Sequence, residues 1–462
     1  MKTLYRPELL YVEGGFVAGG DLFVDERGVI ADFREDTGEA EIVEMPGKAL
    51  LPGFVNAHSH SFQRLIRGKA ESRAVSGRDF WSWRGTMYHA ASSLDPEQVY
   101  DVARMAFLEM VLGGTTTVGE FHYLHNATGG EPYDDANLLG KQVIRAAESV
   151  GLRIVLLRTA YLRAGYELPA DPGQRRFYET AKDFVSNMEA LLQDVPGSQG
   201  VSFGVAPHSL RAVPLGELRA IAEWARAKHL PVHMHVAEQI AENEACLREY
   251  GLTPVALLES EGLLGRDFTA VHAVHVSDAE IAMLAGAGVT VCSCPTTERN
   301  LGDGIFRADD AMSAGIRVAF GSDSQAQIDP LEDARELEYH LRLKRQERAV
   351  LDPGGWESSG STLASRLFEC ATLSGARSLG VAGGELQAGS PADFFTVDLE
   401  DVSIAGNRGD ELLAMIVFGM NRTAVRDVVV QGRVVVRDRV HALQAEIIGR
   451  YRQMHESVWH NR

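Results

Sequence analysis

The sequence predicts an α/β protein: a (β/α)8 TIM-like barrel with a small β-sandwich domain built from both chain ends. Three observations predict it. Eight short apolar runs succeed one another between residues 50 and 323, and segments of helical spacing separate them. The two flanks carry short strands joined by charged or glycine turns instead.

The eight runs are 49–57, 115–121, 153–161, 201–207, 231–237, 268–274, 289–295 and 317–323. Most are β-branched and nearly continuous in apolar residues, as strands buried on both faces must be. Between them, 96–114 shows the helical pattern most clearly. Asp95 stands as N-cap before Pro96, apolar residues recur at three and four, and Gly113-Gly114 ends the run. Strands alternating with helices imply a parallel sheet covered on both sides, and eight such units imply a closed barrel.

Residues 22–33 read as two strands around a charged turn, and 425–440 as two valine-rich strands around Gln431-Gly432, a hairpin signal. With 389–398 they form a composite small domain, 1–50 and 385–445, leaving 51–384 as the barrel and 446–462 as a C-terminal helix or tail. A chain of 462 residues suits that division.

Forty-five basic against 64 acidic residues give a formal charge of −19. Such a surface repels nucleic acid and anionic membrane, and an anionic substrate then needs arginines placed at its site. The N-terminus lacks the apolar core of a signal peptide. No stretch approaches the roughly 18 apolar residues of a membrane span. Cys246, Cys292, Cys294 and Cys370 have no CxxC spacing and read as buried thiols in a reducing compartment. The expected location is cytoplasmic.

Chemistry enters where polar residues end the runs. GFVNAHSHSFQR (53–64) ends the first strand with His58 and His60 on one face. An isolated His-x-His is more often a polar turn than a ligand pair, so the other strands decide. The fifth carries His233 and His235, again on one face. Parity does not choose between them, but His235 lies nearer the C-terminal mouth, where barrel chemistry occurs. The sixth offers His272 and His275, and the eighth ends at Asp323. His58, His60, His235 and Asp323 would form a nitrogen-and-oxygen set for one divalent ion such as Zn2+. Glu238 and His272 would stand beside it as an acid/base pair, with Asp323 sharing the proton traffic.

HSHSFQRLIRG, DFWSWRGTMY, GEFHYLHN, PHSLRAV, HVAEQ, VHAVH, NLGDGIF and GSDS together resemble the amidohydrolase superfamily, and within it the formimidoylglutamate deiminase family. The resemblance spans nearly the whole chain. Nothing matches the bridging lysine of binuclear members, which implies one metal ion. It further implies hydrolysis of N-formimino-L-glutamate to N-formyl-L-glutamate and ammonia, a step of histidine degradation, in a homodimer. Gln63, Arg84, Tyr123, His208 and Arg211 match the family's substrate-binding positions. Arg84 and Arg211, expected on two loops, are planar forks suited to the two carboxylates of that substrate.

Some residues stand outside that assignment. Arg64 has no matching role and reads as structural. Phe80, Trp81 and Trp83 read as packing over the barrel, and His122 and His125 as packing or support. The chain departs from the family pattern at Leu162-Arg163 and at Gln325. The rival activities are an aminohydrolase acting on a purine-type ring or on another amidino or guanidino acid. A rival of another class is a non-catalytic scaffold.

Overall fold

Each apolar run becomes a strand because the barrel buries both of its faces. The strands are β1 (Phe54–Ser59), β2 (Thr115–His122), β3 (Arg153–Ala160), β4 (Val201–Pro207), β5 (Val232–Val236), β6 (Phe268–His272), β7 (Thr290–Ser293) and β8 (Arg317–Phe320). Every residue of β2 and β3 is buried. All neighbours pair in parallel and in chain order. A parallel bridge between Ser59 and Asp323 joins the eighth strand to the first. The structure, a computed structural model, describes residues 2–31, 40–72, 80–168, 171–198, 200–354 and 362–460. Among these, no helix is long and apolar enough to cross a membrane.

The first run belongs to two sheets. Residues up to Pro52 end the long strand Glu41–Pro52 of the other sheet, and β1 starts at Phe54. Gly53 marks the crossing, where a Cβ would lie 2.2 Å from Thr116 Oγ1. An apolar run buried throughout gives no compositional sign of a change of sheet, so the sequence merges the two strands.

The chain ends form one mixed, eight-stranded sheet. Its order runs Val440–His441, Arg433–Arg437, Val425–Val430, Phe394–Asp398, Glu41–Pro52, Thr3–Val12 and Gly15–Ala18, with Leu22–Val24 also paired to Thr3–Val12. The hairpin at Gln431-Gly432 has φ of 50° and 72°, both in the left-handed region that a tight two-residue turn requires. Tyr5, Leu10, Met45, Leu50, Phe394 and Val429 fill a small core of their own.

Asp95 caps its helix as expected. Its side chain accepts from Gln98 N, and the Gln98 side chain accepts from Asp95 N, a full capping box before Pro96. The final helix, Gln444–His460, is held to Pro96–Leu112 by Arg104 to Glu446 (2.8 Å) and Arg450 to Asp101 (2.7 Å).

One buried ion pair ties barrel to outer sheet. Arg153 at the start of β3 reaches Asp393 at 2.6 Å and the Ala382 carbonyl at 2.9 Å, with side chains only 8% and 1% exposed. Removing one partner of such a pair leaves an uncompensated buried charge. Arg153→Ala is expected to lower the unfolding free energy by about 3–5 kcal/mol in urea denaturation. A loss below about 1 kcal/mol would show that water or relaxation replaces the arginine readily.

Candidate active site

Closure of the barrel assembles the site. Asp323 N donates to the His58 carbonyl and His60 N to the Asp323 carbonyl, each at 3.0 Å. This backbone pairing sets the two histidines of β1 against the carboxylate that follows β8. Asp323 Oδ1 lies 3.4 Å from His58 Nε2 and 3.2 Å from His60 Nε2, and His235 Nε2 lies 3.2 Å from His58 Nε2. One ligand atom from each of the four residues fits within a 4.8 Å cluster.

The outer nitrogens show that this cluster suits a cation. His60 Nδ1 meets the Phe121 carbonyl at 2.8 Å and His235 Nδ1 meets the His208 carbonyl at 2.9 Å. A carbonyl only accepts, so each Nδ1 carries the proton and each Nε2 turns a bare lone pair inward. Burial lowers His58 to about 3 and lowers His235 well below the usual histidine range, so both are neutral. Burial alone would raise Asp323. The close approach of the His58 and His60 side chains overrides it and holds the carboxylate well below its usual range. Converging lone pairs around one carboxylate, away from water, fit a divalent metal.

His233 shows what parity could not. It sits two residues nearer the start of β5, and its Nε2 donates to the Ser378 carbonyl at 2.9 Å. His275 likewise turns away, to the Asp303 carbonyl at 2.7 Å. His272 stands beside the cluster. Its Nδ1 is 3.4 Å from Glu298, and its Nε2 is 3.9 Å from Glu238 and 3.8 Å from Asp323. Burial opposes its protonation, but these carboxylates raise its pKa well above the usual value. Burial raises Glu238, with the His272 charge opposing. Ala237, His272, Ala273, Asp323 and Gln325 all have φ between 44° and 73°. Non-glycine residues rarely adopt that region, and the strain gathers at the strand ends that present these groups.

A pocket opens over the cluster, and Gln63, Arg84, Tyr123, His208 and Arg211 all line it. Arg84 sits on the helix Phe80–Ser93 rather than on a loop, so a regular backbone aims it. Gln63 donates to the Tyr123 hydroxyl at 2.7 Å, while its buried Oε1 has no partner. Trp83 lines the cavity instead of only packing; the side chains of Phe80 and Trp81 lie outside the described residues. Arg64 points away, to Glu109 at 2.9 Å. His125 donates to the Thr159 carbonyl at 2.8 Å, with His122 packed against it.

Both departures turn out to support the site. Arg163 donates to the carbonyls of Leu210 and Arg211 at 3.0 Å each and pairs with Glu249, bracing the loop that carries Arg211. Gln325 donates to Ser59 Oγ at 2.8 Å and accepts from Ser322 Oγ at 3.0 Å, bridging the first and last strands. Sequence reading missed Glu120, which accepts from Ser59 Oγ, Ser61 N and Ser61 Oγ at 2.6–2.7 Å and so holds the His-x-His turn. A lone carboxylate at the end of an apolar strand was its available signal. Glu298, Tyr88 and Tyr161 carried none.

His235→Gln is expected to strip the metal, measured by inductively coupled plasma mass spectrometry, while His233→Gln keeps it. Equal loss from both variants would contradict the assignment. Burial also lowers His233 to about 4, opposed by its bond to Ser378. Its folded pKa is depressed below an unfolded value of about 6.5, so its contribution is complete above that pH. It fades as pH falls towards 4, by on the order of 3 kcal/mol. The stability of His233→Gln, followed by urea denaturation, should therefore fall less than wild type between pH 7 and 4.5. An unchanged fall would mean that His233 already titrates normally.

Comparison with known proteins agrees with this geometry. A family model described as the amidohydrolase family matches residues 49–435. Formimidoylglutamate deiminase of Pseudomonas aeruginosa is 37% identical over 443 residues, 96% of each chain. The 5-methylthioadenosine/S-adenosylhomocysteine deaminase of Syntrophomonas wolfei is 28% identical over 439 residues, 93% of this chain and 90% of that one. An amidohydrolase from Brucella melitensis, solved by crystallography, superposes with a TM-score of 0.88 at 33% identity, covering 99% of each chain. The chain therefore belongs to the amidohydrolase family, as a metal-dependent hydrolase acting on carbon–nitrogen bonds.

Proposed function

We propose that the protein hydrolyses N-formimino-L-glutamate to N-formyl-L-glutamate and ammonia, using a single zinc ion, in histidine degradation. The observation that carries this reading is the placement of Arg84 and Arg211 in the wall of the cavity above the histidine–aspartate cluster. In a chain of net charge −19, two guanidinium groups at one cavity select for an anion with two acidic ends. The 37% identity to a formimidoylglutamate deiminase supports the same choice. Four buried, unpaired cysteines accord with the cytoplasm as its compartment.

A divalent ion held by His58, His60, His235 and Asp323 would supply Lewis acidity and lower the pKa of water towards about 7. The rest falls to the protein's own groups. Arg84 and Arg211 bind the carboxylates and fix the formimino carbon over the cluster. The partnerless Oε1 of Gln63 is a ready acceptor for an N–H of the substrate. Water adds to that carbon, and its proton passes to the buried carboxylates around His272. His272 steadies the developing negative charge from 3.8–3.9 Å behind Asp323 and Glu238. Glu238, whose burial favours the protonated form, delivers a proton to the terminal nitrogen. The added hydroxyl then gives its remaining proton through the same carboxylates to the departing nitrogen. The C–N bond breaks, ammonia leaves and the formyl group remains.

The deaminase relative at 28% identity favours a second reading, hydrolysis of an amino group on a purine-type ring. A neutral ring brings no negative charge to complement the two guanidinium groups in the cavity wall. Ammonia release from N-formimino-L-glutamate, with guanine in parallel, separates the two. The metal-replete protein should act on the first only. Arg84→Met should raise KM about 10- to 100-fold, the worth of a charge-assisted hydrogen bond. Turnover of guanine alone would reject the proposal.

A further inference from the structure

We propose that Gln174 holds Tyr88 and Tyr161 as two hydroxyl donors that, with Arg84, receive the substrate carboxylate farther from the reacting carbon. This deepens the deimination reading above and rests on it for the identity of the ligand.

Hydrogen-bond direction carries the argument. The backbone N–H of Asp171 can only donate, and it donates to the Tyr178 hydroxyl oxygen at 2.7 Å. Tyr178 in turn donates to Gln174 Oε1 at 2.5 Å. With Oε1 taken up by Tyr178, the amide NH2 faces Tyr88 and Tyr161, at 2.5 and 2.8 Å. An amide NH2 cannot accept, so both tyrosine oxygens must. Tyr161 accepts a second time, from Arg84 Nη2 at 3.2 Å, which occupies its remaining lone pair. Each hydroxyl therefore keeps its own hydrogen to give. Among the described residues, no side chain or backbone group takes either one.

Position supplies the rest. Tyr88, Tyr161 and Arg84 all line the cavity, while Gln174 is 1% exposed behind them. The Arg84 guanidinium lies 5.1 Å from the centroid of the Tyr88 ring, which holds its plane in place. Ring contacts of 4.7 Å lead from His235 to His208 and from His208 to Tyr161. Tyr161 thus stands two ring contacts from the cluster, and Gln174 joins Tyr88 to it, whereas the nearer carboxylate of a formimino amino acid lies beside the reacting carbon. Two hydroxyl donors and a cation suit a carboxylate, which offers them two charged acceptor oxygens, better than a neutral amide, which offers one.

The test is calorimetric binding of N-formyl-L-glutamate and of N-formyl-L-glutamine, its side-chain amide, to metal-loaded enzyme, with ammonia release from N-formimino-L-glutamate measured alongside. Wild type should bind the acid more tightly than the amide. Tyr161→Phe should weaken the acid about tenfold, as loss of a hydrogen bond to a charged group does, and the amide by no more than about twofold. Gln174→Glu, whose carboxylate would draw both hydroxyl hydrogens away from the cavity, should weaken the acid at least as much. Equal loss on both ligands, no loss on either, or no preference in wild type would overturn the proposal. Discrimination lost in Tyr161→Phe without any ammonia release in wild type would uphold the carboxylate receptor and remove the deimination reading. Ammonia release with discrimination intact in Tyr161→Phe would do the reverse.

Discussion

The pairing of β1 with the residues after β8 is the constraint on which the site depends. Two backbone hydrogen bonds, Asp323 N to the His58 carbonyl and His60 N to the Asp323 carbonyl, close the barrel where the ligand atoms meet. Barrel geometry and site geometry are therefore one requirement. Gly321 serves both, since a Cβ there would lie 2.6 Å from His58 Cβ and 2.8 Å from the His58 carbonyl. Glu120, Ser59 and Gln325 hold the same seam from the side, through hydrogen bonds of 2.6–3.0 Å. Ligands presented in this way are held together by the backbone pairing itself, before any metal binds.

Around that seam the protein gathers carboxylates in a buried place, which is costly unless something cationic answers them. His272 answers for Glu238, Glu298 and Asp323, which is why its protonated form is favoured despite complete burial. Arg211 stands near Glu238 and Glu242, and burial raises Glu242 to about 7. The site thus holds acids close to the protonation states that proton transfer at neutral pH needs. The arginines stand on the cavity's wall, so the strongly acidic chain places two guanidinium groups beside these carboxylates.

Much of this was legible along the chain. Alternation of apolar runs with helical spacing located all eight strands, and the capping box at Asp95 and the hairpin at Gln431-Gly432 are local chemistry, complete within a few residues. The ligand histidines were visible because polar residues ending apolar strands are conspicuous. The division at Gly53 was not visible, because both neighbouring strands are buried and look alike. Arg84 was read as a loop residue, although it sits on a helix whose sequence, FWSWRGTMYHAASS, has weak apolar periodicity.

By itself the sequence determined the barrel, a small β-domain from its two ends and the inventory of chemistry: which residue types end which strands. These follow from local rules, since strand, cap and turn are specified within a few positions. Tertiary structure alone showed where His233 turns, made Arg163 and Gln325 supports rather than departures, and brought Gln174, Tyr88 and Tyr161 to one wall. Those choices depend on contacts between residues tens to hundreds of positions apart. A side chain's partner across a closed barrel is set by register and packing, and neither is written at the residue itself.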